Sequence, residues 1–187
     1  DAHIFIFARG GSKGLPNKNL KKLGGKPLLG ISIEHAKMLV SHTNVFVSTD
    51  SDDIAREAKN FGAQVIMRPP ELAQDNSPEL LAWCHALEAL KAKGKKVKIF
   101  VSLPCTCPLR HVADVVKGVD LFVSSNADIV VSMMQAHRNP WFNMLKKVNG
   151  TDGFEIVVKN DTPIFNRQEA PEVFDLTTAF YISSPNY

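Results

Sequence analysis

Three cations share one loop near the amino terminus of the chain. Arg9, Lys13 and Lys18 lie within residues 8–19, and this glycine-containing loop follows an apolar run typical of a buried strand. Backbone N–H groups of such a loop can cradle anionic oxygens, and the side chains can neutralise them. Open α/β sheets bind ligands at the ends of their strands, so the pattern predicts a polyphosphate site. A solvated basic loop is the alternative.

The loop matches neither of two common phosphate-binding motifs. It lacks the spacing G-x-x-x-x-G-K-[ST], which argues against a P-loop. It also lacks G-x-G-x-x-G, the dinucleotide-binding fingerprint. The cations therefore indicate a nucleotide site of another kind.

Strand and helix patterns alternate through most of the chain. Apolar, β-branched runs predict strands at Ile4–Phe7, Val45–Thr49, Gln64–Met67, Val97–Leu103 and Ile129–Met133. Helical spacing predicts four helices: after Pro27, after a cap at Asp50 or Ser51, from Ser77-Pro78, and around Val112–Val119. In the helix from Ser77-Pro78, the residues expected to face inward are Leu80, Cys84 and Leu87. This alternation predicts an α/β/α sandwich with three layers and a mostly parallel central sheet.

The pattern changes after about Gly150. Short strands are predicted at Phe154–Val158, Pro163–Phe165 and Ala179–Ser183, joined by polar loops. We interpret this region as a small β-rich excursion from the main sheet. The whole chain, residues 1–187, is therefore expected to form a single domain.

Composition limits the classes of function. The chain has 187 residues, 44% of them hydrophobic, and a net charge of +3. No apolar run approaches the roughly 20 residues that cross a bilayer, so no membrane segment is expected. The near balance of charge and the absence of aromatics in the loop argue against nucleic-acid binding. Three cysteines without a disulfide framework are typical of the reducing cytoplasm.

Several segments, in order, resemble the acylneuraminate cytidylyltransferases, also called CMP-sialic acid synthetases. The first, Ala-Arg-Gly-Gly-Ser-Lys-Gly-Leu-Pro-Asn-Lys-Asn-Leu, is a specific motif, whereas the later ones are individually weak. The matching segments are residues 8–20, 47–51, 66–75, 103–110, 166–168 and 179–182. They span nearly the whole chain, and their order makes a chance match improbable.

The resemblance implies a fold and a reaction. The fold would be like that of the nucleotide-diphospho-sugar transferases. In the reaction, CTP and an acidic keto-sugar become a CMP-sugar and pyrophosphate, with Mg²⁺ as cofactor. The catalytic residues would be Arg9, Lys13 and Lys18, and nucleotide-binding residues would be Ala8, Arg9, Asn19, Arg68, Asp75 and Ser77. The sugar-binding residues would be Cys105, Thr106, His137, Arg167 and Tyr181.

Ordinary structural roles remain open for several of these residues. Arg68 is alternatively a surface arginine before a Pro-Pro turn, and Asp75 or Ser77 alternatively caps the helix that follows. His137 and Arg167 are alternatively exposed residues of the excursion.

The chain departs from the family pattern in two places. Pro104 stands where many members have a glutamine that contacts substrate, and an acid, Asp175, replaces an arginine near the sugar. Two consequences of this replacement stay open: a change in the acidic sugar that is accepted, or recognition of the sugar carboxylate by Arg167, the remaining nearby cation, because arginine pairs well with carboxylates. The family's metal-binding aspartates would lie downstream of Tyr187, so the metal ligands are not identified.

The sequence is compatible with three functions. The leading hypothesis is a cytidylyltransferase for a nine-carbon ulosonic acid of the sialic, legionaminic or pseudaminic type, acting as a homodimer in the cytoplasm. A CMP-Kdo synthetase is the related alternative, although its first loop normally lacks a lysine at the position of Lys13. A non-catalytic nucleotide-binding module of the same fold is the other alternative.

Overall fold

The structure is a computed structural model that describes residues 2–160 and 162–186. The chain forms two compact units: the first runs up to Ser132 and resumes at Thr178, and the second is Met133–Thr177. The strands are β1 (Ala2–Phe7), β2 (Lys22–Leu23), β3 (Lys26–Pro27), β4 (Val45–Thr49), β5 (Gln64–Met67), β6 (Ile99–Ser102), β7 (Ile129–Gln135), β8 (Leu145–Lys147), β9 (Phe154–Ile156) and β10 (Phe174–Ser183). The α-helices are α1 (Leu28–Leu39), α2 (Asp52–Asn60), α3 (Glu79–Ala92) and α4 (Val112–Ser124), with short 3-10 helices at Lys18–Leu20, His42–Asn44, Pro70–Ala73 and Arg167–Glu169.

The main sheet has the strand order β5-β4-β1-β6-β10-β7. Strands β5, β4, β1 and β6 pair in parallel, with Ile4 of β1 opposite Val45 of β4 and Val101 of β6. Strand β10 pairs with β6 in the antiparallel direction. The mostly parallel sheet expected from the sequence is therefore confirmed.

Both faces of the sheet are covered by helices. Successive side chains of a strand point to opposite faces, so Ile4 and Ile6 pack with residues of α1, α2 and α4, whereas Phe5 packs with residues of α3. On the α3 side the aromatic rings form a layer of their own, in which Phe5 and Phe100 are stacked with centroids 4.8 Å apart. The predicted α/β/α sandwich is thus confirmed.

Helix α3 presents a different stripe to the sheet from the one predicted. Leu80 is 51% exposed and Cys84 is also exposed, so their predicted inward orientation is wrong. The side chains buried beneath α3 are instead Ala82, Ala86 and Leu90. Small alanines fit here because the aromatic layer already fills the space between helix and sheet.

The carboxyl-terminal strand belongs to the main sheet, not to the excursion as predicted. In β10, Ile182 lies opposite Val101 of β6 and is fully buried, which explains why this apolar segment joins the core. The second unit, Met133–Thr177, contains β8 and β9, paired with Leu145 opposite Ile156. The strand predicted at Pro163–Phe165 does not form.

Candidate functional site

A cavity of about 540 Å³ lies at the carboxyl ends of the parallel strands. This is where open α/β sheets bind ligands. Segments that follow β1, β5 and β6 supply its walls, together with the start of α3. The lining residues are Phe7, Arg9, Ser12, Lys13, Gly14, Leu15, Lys18, Asn19, Arg68, Leu72, Gln74, Asp75, Ser77, Glu79, Pro104, Cys105 and Thr106.

The loop after β1, residues 8–19, is held by hydrogen bonds at several points. Asn17 adopts the left-handed conformation with φ 53°, which asparagine tolerates better than most residues. Asn19 is buried and its Nδ2 donates to the carbonyl oxygen of Arg9 at 3.1 Å. At the start of the loop, Gly10 N donates to Asp50 Oδ1 at 3.0 Å. These bonds fix the backbone from which the predicted phosphate-binding side chains project.

Asp50 supports this loop and does not cap a helix. The N-cap of α2 is Ser51, whose Oγ accepts a hydrogen bond from Ile54 N. The close approach of the two segments explains the glycine at position 10, since a Cβ there would lie 3.0 Å from Ser51 Cβ. Sequence reasoning missed the role of Asp50, because its partner Gly10 lies 40 residues away, in the loop that follows the neighbouring strand β1.

Two cations of the loop, Arg9 and Lys13, are paired with one carboxylate. Asp75 Oδ1 lies 2.9 Å from Arg9 Nη1, and Asp75 Oδ2 contacts Lys13 Nζ. These contacts, led by the hydrogen bond from Lys13, lower the pKa of the Asp75 carboxyl. Asp75 therefore carries its negative charge at neutral pH, and it does not cap α3, whose N-cap is Pro78.

Arg68 is a buried cation at the cavity wall. It is 7% exposed, so the alternative of a surface arginine is wrong. Its backbone N donates to Thr49 O at 2.9 Å, which places it directly after β5. Burial lowers the pKa of the guanidinium, and the carboxylates of Asp50 and Glu79 oppose that shift. Within the described part of the chain, Nε of Arg68 has no hydrogen-bond partner.

The turn after β6 forms another wall of the cavity. Cys105 is buried, and burial raises the pKa of its thiol to about 11. Arg110 is buried behind the turn, and its Nη2 donates to the carbonyl oxygen of Pro104. Cys105 and the exposed Thr106 thus reach the cavity on a turn that a buried guanidinium holds in place.

Of three other predicted site residues, Ser77, Ala8 and Tyr181, the first lines the cavity and the other two do not. Ser77 lines it, but its Oγ donates to Glu71 O at 2.6 Å and does not cap α3, so the predicted cap is wrong. Ala8 is fully buried at the base of the loop and is absent from the lining. Tyr181 is also absent from it, and its ring packs 5.7 Å from the ring of Trp83.

The two remaining predicted residues, His137 and Arg167, are exposed in the second unit. There Arg167 and Arg138 line a cavity of about 240 Å³. Two segments that line this cavity are joined by a hydrogen bond, which the buried Asn139 donates from Nδ2 to Pro171 O at 2.8 Å. Glu172 also lines this cavity, so two guanidinium groups and one carboxylate face it, and the pair of guanidinium groups can bind a carboxylate ligand.

The described residues do not build a divalent-cation site of their own. Among residues 2–160 and 162–186, no three His, Cys, Asp or Glu side chains come together in a way that could hold a metal ion. Asp75 is already engaged by two cations. No helix in the same ranges is both long and apolar enough to cross a membrane.

Known proteins resemble this chain in sequence. N-acylneuraminate cytidylyltransferase A of Danio rerio is 35% identical over 136 residues, which are 73% of this chain and 31% of that protein. CMP-N,N'-diacetyllegionaminic acid synthase of Campylobacter jejuni is 32% identical over 184 residues, which are 97% of this chain and 77% of that protein. The chain thus spans about a third of the fish protein and about three quarters of the bacterial one.

The fold is also found in a solved structure. A CMP:2-keto-3-deoxy-manno-octonic acid synthetase in complex with CTP superposes with a TM-score of 0.69 over 99% of this chain and 74% of that chain, at 20% identity. At that identity the likeness concerns the fold alone. The sequence profile described as Cytidylyltransferase matches residues 3–184. The chain therefore belongs to the cytidylyltransferase family of nucleotidyltransferases, as its resemblance to the CMP-sialic acid synthetases predicts.

Proposed function

We propose that the protein transfers CMP from CTP to an acidic nine-carbon ulosonic sugar of the sialic, legionaminic or pseudaminic type. The observation that carries this proposal is the cavity at the strand ends, where Arg9, Lys13, Lys18 and Arg68 surround one space of about 540 Å³. Such a concentration of cations suits a triphosphate. The names of the Danio rerio and Campylobacter jejuni relatives support the type of sugar.

The reaction follows from where the negative charge develops. The anomeric hydroxyl of the sugar gives its proton to water as its oxygen forms a bond to the α-phosphorus. The bond from that phosphorus to the bridging oxygen of the β-phosphate breaks, and pyrophosphate leaves with the electron pair. Arg9, Lys13 and Lys18 stabilise the charge that grows on the leaving group. Removal of one such charge is expected to cost about 2–4 kcal/mol of transition-state stabilisation.

The nucleotide is held by the walls of the same cavity in this proposal. Arg68 supplies a buried positive charge, and Asn19 fixes the carbonyl of Arg9 so that the loop is formed before CTP arrives. Ala8 supports the loop from below, and Ser77 reaches the cavity near the start of α3. A preformed loop avoids reorganisation during the reaction, which is the usual source of electrostatic catalysis.

The acid group of the sugar requires cations as well. Arg167 remains our candidate for the sugar carboxylate, and its shared cavity with Arg138 supports that assignment. Cys105 and Thr106 at the main cavity, His137 in the second unit, and Tyr181 on β10 remain predicted sugar contacts.

A homodimer is part of the proposal. The second unit exposes many large apolar side chains for its size, and exposed apolar surface of this kind marks interaction sites. These side chains are Met133, Met134, Met144, Leu145, Phe154, Phe165, Phe174 and Leu176. Light scattering should give twice the chain mass at micromolar concentration. A monomer would contradict the proposed dimer but not the proposed reaction.

Mg²⁺ is also proposed as the cofactor. It is commonly held by substrate phosphates with one or two carboxylates, so it does not need a cage built from protein alone. The described residues supply no such cage, and the roles given above to Arg9, Lys13 and Lys18 do not depend on the metal.

Pyrophosphate release provides the test of the reaction. The protein would be mixed with Mg²⁺, each of the four nucleoside triphosphates, and a panel of nine-carbon ulosonic acids with the eight-carbon Kdo. Release only with CTP and a nine-carbon acid supports the proposal. Release with Kdo would instead support a CMP-Kdo synthetase, which the fold likeness also permits.

Two matched variants link the activity to the loop. Lys13→Ala removes a cation of the cavity, whereas Lys22→Ala removes an exposed lysine of β2 nearby in sequence. Only the first should slow turnover strongly, by about 30-fold to 1,000-fold, which corresponds to the loss of 2–4 kcal/mol given above. If CTP binds but no acid of the panel gives turnover, the non-catalytic module replaces the enzyme.

A further inference from the structure

Asp75 lies between two loop cations and contacts both, as an oxygen-bearing anion such as a phosphate group would. One of its oxygens contacts Arg9 and the other contacts Lys13, so a single carboxylate bridges both side chains. Arg9 Nη1 also donates to the carbonyl oxygen of Ala73 at 3.4 Å, which turns its guanidinium toward this segment. In the structure, these two cations are thus paired with an acid of the protein itself.

The same two cations are the ones to which the proposed function assigns the triphosphate. A donor that points at Asp75 is not available to a phosphate oxygen, so the carboxylate and the ligand compete for it. The three side chains are accessible to water, with relative exposures of 34% for Arg9, 84% for Lys13 and 39% for Asp75. Ion pairs at this exposure are weak and exchange readily.

We propose that Asp75 is an internal counter-anion that replaces pyrophosphate on Arg9 and Lys13 and thereby promotes product release. This inference rests on the proposed function, because it takes the cavity as the triphosphate site. Asp75 gives up the cations when CTP binds and takes them back as pyrophosphate leaves. Its effect is to weaken binding of the anion so that the strongly cationic cavity does not retain its product.

The cavity supplies a matched control for this idea. Its lining contains four cations and two carboxylates, Asp75 and Glu79. The carboxylate of Glu79 accepts a hydrogen bond from Trp83 Nε1 at 3.1 Å and forms no ion pair with Arg9 or Lys13 among the contacts of the described residues. Asp75→Asn and Glu79→Gln each raise the charge of the lining by one, but only the first frees the loop cations.

The experiment measures the binding of inorganic pyrophosphate, and separately of CTP, to the wild type and both variants by calorimetry in the presence of a chelator. Two weak ion pairs are lost in Asp75→Asn, so we expect its dissociation constant for pyrophosphate to fall by about threefold to tenfold. Glu79→Gln should change it by less than about twofold. Asp75→Ser, which has a different shape, should change it in the same direction as Asp75→Asn.

Inhibition of turnover by added pyrophosphate is a second measurement. If Asp75 only supported the fold, its replacement would not strengthen this inhibition. In Asp75→Asn, inhibition by added pyrophosphate should strengthen by a similar factor, with the urea midpoint close to that of the wild type. Unchanged or weaker pyrophosphate binding in both Asp75 variants would overturn the inference and leave the proposed function intact. Weaker binding is also what a direct contact of Asp75 with the nucleotide predicts.

Equal tightening by Asp75→Asn and Glu79→Gln would overturn the inference as well, because total charge would then explain the effect. If the wild type and all variants bind neither CTP nor pyrophosphate, the proposed function fails and this inference fails with it.

Discussion

Replacement of Asp50 should separate the stability of the phosphate-binding loop from that of the adjacent helix. Asp50→Ala deletes the carboxylate that accepts the hydrogen bond from Gly10 N at 3.0 Å. A hydrogen bond to a charged group contributes about 1.5–3 kcal/mol, and we expect the lower half of that range because water can reach this partly buried donor. Arg68 also loses one of the two carboxylates that favour its charge.

Two variants serve as controls for this effect. Asp50→Asn keeps an acceptor oxygen and should lose about half as much stability as Asp50→Ala. Ser51→Ala removes the N-cap of α2 and should cost about 1 kcal/mol of stability, but it leaves the bond between Asp50 and Gly10 in place.

The assays are urea unfolding, which gives the free energy of unfolding, and calorimetric titration with CTP. Asp50→Ala should lose both stability and CTP affinity, whereas Ser51→Ala should lose stability alone. The reasoning would be refuted if Asp50→Ala stayed within about 0.5 kcal/mol of the wild type in stability and bound CTP equally well.

Three further predictions concern the core and the titratable groups. Gly30→Ala places a Cβ 2.4 Å from an atom of the Phe61 ring. The overpacking should cost about 1–3 kcal/mol of stability, which outweighs the gain in helix propensity and lowers the urea midpoint. An unchanged midpoint would contradict this packing. Cys105 should stay unmodified by a thiol reagent at neutral pH because burial raises its pKa to about 11, whereas the exposed Cys84 should react at once. Mass spectrometry of the digested protein measures both, and rapid modification of Cys105 would contradict its burial. Burial lowers the pKa of His3 below 6.5, so protonation favours the unfolded chain. The free energy of unfolding should therefore fall as the pH drops below about 6.5 toward the folded-state pKa. In His3→Phe the loss between about pH 7 and pH 5 should be smaller, and an equal loss would exclude His3 as its source.

Local sequence patterns were sufficient to predict the fold class and the position of the candidate site. The continuous apolar run in β1 predicts a buried strand, and the cations that follow it predict an anion site at the strand end. Both features are properties of consecutive residues. In the structure Arg9, Lys13 and Lys18 line one cavity, and their role in binding phosphate stays a prediction.

Contacts that depend on strand order could not be predicted in this way. Asp50 reaches Gly10 because β4 lies beside β1, and periodicity identifies strands without giving their order in the sheet. Asp75 reaches Arg9 and Lys13 only through the path of the chain after β5.

The orientation of α3 was ambiguous for a different reason. The stripe of Leu80 and Cys84 and the stripe of Ala82 and Ala86 both have helical spacing. The structure selects the alanines because Phe5 and its neighbouring rings already fill that side of the sheet. That choice depends on the space left between helix and sheet in the assembled core, which the pattern of apolar residues along the sequence does not reveal.

The crystal structure of the protein with CTP bound tests the central claim most directly. We expect the triphosphate within the loop of residues 8–19, with its oxygens at hydrogen-bond distance from Arg9, Lys13 and Lys18 and with Asp75 displaced from the two cations it now contacts. Density for CTP at any other surface, with this loop unchanged and Asp75 still paired, would contradict the account.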